Sequence, residues 1–292
     1  MKSLRVATCQ FPVEPDVRAN ASYIKKQMRQ AAGQGCDLAH FSECALSGYA
    51  GVDFPSFKKY DWQLLKECTE EILTLAGELK LWTVLGSSHP LTGNHKPHNC
   101  LYVINDRGKM IDRYDKRFCT GILKPKPTMD QCHYTPGNHP VTFKVKGITC
   151  GVAICYEYRF PELYRDYLKR GVKMLFQSFH NARHTPVADD DYNIWETIVP
   201  STMACRAAEN HLWISANNST TRPSCWPSFA VRPDGAIVGK LKLHTSGVLV
   251  TEMKLDPTLF DAPGPWRETS MQGQLYSGQP VSDRRSTDRT RL

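Results

Sequence analysis

Short runs rich in β-branched and aromatic residues alternate with longer helical stretches along most of this chain, and no other feature restricts its fold as much. The pattern predicts strands at Leu4–Phe11, Asp37–Phe41, Trp82–Ser87, Asn99–Asn105, Met110–Tyr114, Ile148–Cys155, Val172–Gln177, Leu212–Asn217, Ser228–Val231 and Gly247–Met253. Amphipathic helices are expected at Ala19–Ala32, Trp62–Leu79, Glu162–Lys169 and Trp195–Glu209. Helices interleaved with buried strands predict an α/β layer architecture. Two connections, Asn105-Asp106-Arg107-Gly108 and Arg232-Pro233-Asp234-Gly235, have the residues of tight hairpin turns, so the sheets should be mixed. No internal repeat is visible and no linker splits the chain. One domain is therefore expected over residues 1–262, with the proline-rich stretch Lys124–Pro140 as a long irregular loop inside it. From Pro263 the pattern dissolves into a tail, 263–292, that is either disordered or docked on a neighbouring subunit.

Composition mostly excludes. Hydrophobic residues make up 41% and charged residues 23%, ordinary for a globular protein. No apolar run is long enough to cross a membrane, and the N-terminus lacks the core and cleavage site of a signal peptide. The 11 cysteines include no CxxC pair, and several lie in apolar runs. Most of them read as buried free thiols, in a reducing, cytoplasmic setting. The net charge of +8 is scattered rather than gathered on one element, so it describes a solvated surface and no nucleic-acid partner.

Chemistry is concentrated at three predicted strand ends. One apolar strand runs into Cys155, after which Tyr156–Phe160 makes a short turn and Pro161 opens a helix. A cysteine so placed is expected to be an accessible, reactive thiolate; the bland alternative is a small buried core residue. A second strand ends at Glu43, a carboxylate among apolar residues that suits a general base, although a strand-end Glu is more often a cap or surface charge. The third ends at Lys116, whose ammonium would lower a thiol pKa and stabilise an oxyanion, or simply be solvated. In α/β sheets the C-terminal strand ends converge on the ligand crevice, so the three make one constellation.

These segments resemble the catalytic motifs of the nitrilase superfamily of carbon–nitrogen hydrolases. The similar residues are Phe41-Ser42-Glu43 with Gly48-Tyr49, then Tyr114-Asp115-Lys116, then Ile154-Cys155-Tyr156-Glu157 with Arg159-Phe160-Pro161-Glu162. Tyr134-Thr135-Pro136-Gly137-Asn138 and Arg206-Ala207-Ala208-Glu209-Asn210 add to the likeness, which spans residues 4–255. The resemblance implies an α-β-β-α sandwich that dimerises or assembles further, with a C-terminal arm on the partner. It also implies nucleophilic attack by Cys155, proton transfer by Glu43, and an oxyanion held by Lys116 and the Tyr156 N–H. Neither a metal nor an organic cofactor is implied.

Two positions depart from the family pattern. Asp115 puts an acid immediately before the lysine, which should add a charge beside the site. Asp130 is the nearest counterpart of a second glutamate ahead of Tyr-x-Pro-Gly, and a shorter acid is expected to reach less far into the pocket. The Cys155–Glu162 segment is most similar to that of small-acid amidases. A small amide is therefore the expected substrate, with N-carbamoyl compounds and nitriles as alternatives and a catalytically silent scaffold as the rival from another class. Arg159 is a candidate either to face a substrate carboxylate bidentately or to pair with Glu162. Tyr49 and His180 are further pocket candidates, with Trp195 and Trp226. A metal site at His180, His184 and Asp189–Asp191 is disfavoured because the spacing lacks a zincin pattern.

Overall fold

The computed structural model describes residues 2–182 and 194–290. His184 and Asp189–Asp191, which entered the metal reading, lie outside the described residues. The chain divides into two compact units, Met1–Phe260 and Asp261–Leu292.

The first unit contains two six-stranded mixed sheets. The strands are β1 (Ser3–Gln10), β2 (Leu38–His40), β3 (Trp82–His89), β4 (His98–Ile104), β5 (Met110–Asp115), β6 (Thr142–Val145), β7 (Ile148–Ile154), β8 (Met174–Ser178), β9 (Trp213–Asn217), β10 (Phe229–Val231), β11 (Ile237–Lys240) and β12 (Gly247–Lys254). One sheet has the order β12-β1-β2-β3-β4-β5 and the other β11-β10-β9-β8-β7-β6. In each, three neighbouring strands run parallel (β1, β2, β3 and β7, β8, β9) and antiparallel strands flank them. The sheets thus share one topology although the sequence carries no repeat. The expected hairpins join β4 to β5 and β10 to β11.

The principal helices of this unit are α1 (Val17–Gly33), α2 (Trp62–Leu79), α3 (Asp130–His133), α4 (Pro161–Lys169) and α5 (Ile194–Asn210). Asp16 caps α1 by accepting from the N–H groups of Arg18 and Ala19, and Asp61 caps α2 through that of Leu64. Side-chain alternation assigns the layers. Ala7 and Cys9 of β1 face Ile24, Met28 and Ile72 of α1 and α2. Leu4 and Val6 of the same strand face Ile148, Val152 and Phe176 of the second sheet. Beyond that sheet, Tyr164, Tyr167 and Met203 of α4 and α5 close a third core. The result is the α-β-β-α sandwich.

The helices follow the periodicity closely; α2 spans the predicted Trp62–Leu79. The short strand β6 was not foreseen, and β11 was implied only as the far arm of the second hairpin, without bounds. The loop 124–140 is not wholly irregular, since α3 lies within it. The C-terminal unit, expected to lack regular structure unless docked, contains α6 (Gly264–Met271) and α7 (Arg284–Thr287).

Candidate active site

The three strand ends meet. β2 leads through Phe41-Ser42 to Glu43, β5 ends one residue before Lys116, and β7 ends one residue before Cys155. The turn after β2 is seated tightly on β3: a Cβ at Gly86 would lie 1.9 Å from the Ser42 carbonyl oxygen, so only glycine lets the turn approach. The turn is anchored on the other side by the Glu43 N–H, which donates to the Phe179 carbonyl at 3.2 Å. Cys155 adopts a left-handed backbone with φ of 40°, and Cys44, beside Glu43, has φ of 52°. A non-glycine residue there stores on the order of 1–3 kcal/mol of strain, a feature that gathers at functional sites.

Lys116 is the hub. Its ammonium is fully buried and donates to Glu43 Oε1 at 2.7 Å and to Asp130 Oδ2 at 2.8 Å. Burial alone would lower the lysine pKa, but Asp130 and Glu43 outweigh it and hold the pKa well above its ordinary value. Asn99 of β4 donates to the same Glu43 oxygen at 2.7 Å. The other oxygen, Glu43 Oε2, is buried and carries no hydrogen bond among the described residues. The Glu43 charge also raises the pKa of the Cys155 thiol.

The expectation that Asp130 reaches less far is corrected. Helix α3 carries the aspartate inward, so its short side chain still meets the lysine; it also accepts from the Thr120 N–H at 2.9 Å and from the Tyr49 hydroxyl. Desolvation would raise the Asp130 pKa, but Lys116 and these donors bring it below its ordinary value. The charge expected from Asp115 is also corrected. Arg113 donates to both Asp115 oxygens, at 2.7 and 3.1 Å, and His98 lies 3.6 Å away. The acid is neutralised by its own strand face.

The Cys155 thiol holds its proton more tightly than its strand-end position suggested. Enclosure by protein pushes its pKa above the ordinary thiol value, and Glu43 pushes it further, while Lys116 and the His180 N–H only partly offset them. The resting group is a thiol beside a carboxylate.

Cys155 opens on a cavity of about 630 Å³ whose lining includes Tyr49, Asp130, Tyr156, Arg159, His180 and Trp226. Arg159 forms no ion pair with Glu162 among the described residues. Its guanidinium lies 5.6, 5.0 and 4.8 Å from the ring centroids of Tyr156, Tyr158 and Trp195. His180 stacks on Tyr49 at 5.4 Å, and its Nε2 lies 3.1 Å from Asp53 Oδ2. Asn99 and Asp53 went unrecognised in the sequence. Asn99 faces Lys116 across the β4–β5 ladder, a relation fixed by register, and Asp53 lies in a loop with no motif. No group of three or more potential metal ligands occurs among the described residues.

A family model described as carbon-nitrogen hydrolase matches residues 5–258. The ω-amidase NIT2 of Homo sapiens is 26% identical over 248 residues, covering 82% of this chain and 85% of that protein. The deaminated glutathione amidase of Mus musculus is 26% identical over 257 residues, covering 80% and 73%. Among solved structures, a glutamate-to-glutamine mutant of the amidase from Nesterenkonia sp. AN1 superposes with a TM-score of 0.73 at 22% identity, covering 86% of this chain and 90% of that one. That structure shows covalent addition of the acetamide moiety of fluoroacetamide at its active-site cysteine.

Proposed function

Because the chain belongs to the carbon–nitrogen hydrolase family, we propose that it hydrolyses the C–N bond of a small amide whose far end carries a carboxylate, an ω-amide of a dicarboxylic acid. The observation that carries this reading is the division of labour on Glu43. Lys116 and Asn99 occupy one oxygen, leaving the other as a free buried acceptor on a carboxylate that acts on the Cys155 thiol. A neutral thiol beside a free carboxylate is suited to proton transfer during attack rather than before it.

The sulfur attacks the amide carbon as Glu43 takes its proton, and the carbonyl electron pair moves onto oxygen. Lys116 has three N–H donors and two are engaged, so the third, with the Tyr156 N–H at the start of the turn, serves the oxyanion. Collapse breaks the C–N bond while Glu43 returns the proton to nitrogen, and ammonia leaves. Glu43 then deprotonates a water that attacks the thioester, releasing the acid and restoring the thiol. Asp130 and Asn99 hold Lys116 and Glu43 in place, and Tyr49 orients Asp130.

Substrate selection falls to Arg159. Its guanidinium is stacked on three rings and has no carboxylate partner among the described residues, which suits bidentate recognition of an anionic group at the cavity wall. Amidase names among the relatives support an amide over a nitrile. The test compares an ω-amide with a neutral amide of equal length. Replacing Arg159 by Met should raise KM for the first about 10- to 100-fold, the value of a charged hydrogen bond, and leave the second unchanged. Equal effects on both would remove the assignment.

No helix among the described residues is long and apolar enough to cross a membrane. The mostly buried, unbridged cysteines support a cytoplasmic location. Exposed Trp266, Leu275, Tyr276 and Val281 support the C-terminal unit acting as an arm on a second copy, in a homodimer or larger homo-oligomer.

A further inference from the structure

We infer that Glu157 is a positioning residue, its carboxylate clamping the turn that carries Lys116 to the turn that carries Cys155. This rests on the reading of those two residues given above. Glu157 is fully buried and touches neither of them through its side chain. Its Oε1 accepts from the N–H groups of Arg117 at 2.6 Å and Phe118 at 3.3 Å, the two residues after the lysine. Its Oε2 accepts from the Ile154 N–H at 2.7 Å, the residue before the nucleophile, and from the Tyr114 hydroxyl at 2.7 Å. The carboxylate therefore takes two donors from the end of β5 through one oxygen. It takes one from the β7 end and one from β5 through the other.

The chemistry of the group matches that task. Four donors converge on it, and an ionised carboxylate offers about four acceptor sites and no donor of its own. A glutamine has one oxygen and an NH₂, so in either orientation it turns a donor toward at least one backbone N–H. Shape is then conserved and the clamp is broken at one end. Ile154 is also the residue that leads into the left-handed turn at Cys155, so the bond to its N–H helps to hold a conformation the backbone would otherwise leave. Burial aside, the largest influences on the sulfur are Glu43 and Lys116. Glu157 thus acts through their placement.

The experiment uses the full chain, with Glu157→Gln and Tyr114→Phe, and reads kcat, KM, thermal midpoint and the rate of iodoacetamide labelling of Cys155 located by peptide mass. A displacement near 1 Å is worth on the order of 100-fold in rate. The expected result for Glu157→Gln is a loss in kcat of that order, KM within about threefold, and a matching fall in labelling rate in folded protein. Tyr114→Phe removes one donor of four, together with the acceptor of the Arg117 Nε–H at 3.1 Å, and should lose about tenfold in kcat with a thermal midpoint lower by about 2–4 °C. If Glu157→Gln does not fold, Tyr114→Phe decides alone. Labelling and kcat within twofold of wild type in the folded variants would overturn the clamp while leaving the Cys155 reading intact. Activity that survives Cys155→Ala in folded protein would overturn both.

Discussion

Replacing Lys116 by Met keeps the length of the side chain and removes its charge from between two buried carboxylates. The ammonium lies 2.7 Å from Glu43 and 2.8 Å from Asp130, and all three side chains are within 2% of complete burial. At an effective dielectric of about 20, each contact is worth roughly 6 kcal/mol of attraction. Much of this is offset by the desolvation of the lysine, which the substitution also removes. Breaking a buried pair leaves a net cost of about 3–5 kcal/mol. For a chain of this size that corresponds to about 6–20 °C in the thermal midpoint.

The pH dependence carries the sharper content. In the wild type, Lys116 is raised, so its contribution is complete below its unfolded value of 10.5 and is lost only as pH rises through the folded one. Asp130 is depressed, so its contribution is present above 3.8 and is lost as pH falls through the folded value. Between pH 5 and pH 8 neither changes. In Lys116→Met the two carboxylates face each other without a cation and bind protons more tightly in the folded state. The variant should therefore regain at least about 1 kcal/mol of its deficit on acidification from pH 8 to pH 5. Guanidinium unfolding followed by tryptophan fluorescence at both pH values measures this. A deficit below 1 kcal/mol at pH 8, or one equal at both pH values, would refute the view that the lysine neutralises a buried pair of acids.

Other consequences are open to measurement. Difference absorbance at 240 nm between wild type and Cys155→Ala should show no Cys155 thiolate below pH 9, since burial and then Glu43 raise that thiol; a one-thiolate step between pH 6 and 8 would contradict this. His40 is buried between the hydroxyls of Ser215 and Ser178, at 2.8 and 2.9 Å, and burial lowers its pKa to about 3. Its folded value lies below the unfolded 6.5, so its contribution is present above pH 6.5 and is lost as pH falls. At pH 4.5 the loss is about 2–3 kcal/mol, which His40→Gln should escape when unfolding is compared at pH 7 and 4.5. Gly86→Ala places a methyl against the Ser42 carbonyl. It should cost about 1–3 kcal/mol by chemical denaturation and reduce kcat by displacing Glu43; unchanged stability would mean that the turn can yield.

The parts of the fold and site that were legible in the sequence share a cause: they are written in local patterns. Helix α2 has a capping aspartate and an uninterrupted apolar stripe, so both ends were found. Glu43, Lys116 and Cys155 each lie just past a strand end, and converging strand ends bring them near one another. Helix α3 has four residues among prolines, and strand β11 has four mostly exposed ones, too short for a period to emerge. Which sheet a strand joins depends on long-range pairing, so the shared order of the two sheets could not be foreseen. Asn99 and Glu157 act through register and turn geometry across forty residues or more, or between adjacent strands. The neutralisation of Asp115 did have a local signal, because Arg113 stands two residues earlier on the same strand face. The neutral state of Cys155 had none, since burial is a property of the assembled cavity.

Attack of the Cys155 sulfur on an amide carbon, with expulsion of ammonia, underlies every step proposed above. Ammonia release from an ω-amide of a dicarboxylic acid, from a neutral amide, from an N-carbamoyl compound and from an aliphatic nitrile, by wild type and by folded Cys155→Ala, tests it directly. Release is expected from the carboxylate-bearing amide and should fall to background in the variant. Release that persists in Cys155→Ala, or folded wild type silent on every compound, would contradict it.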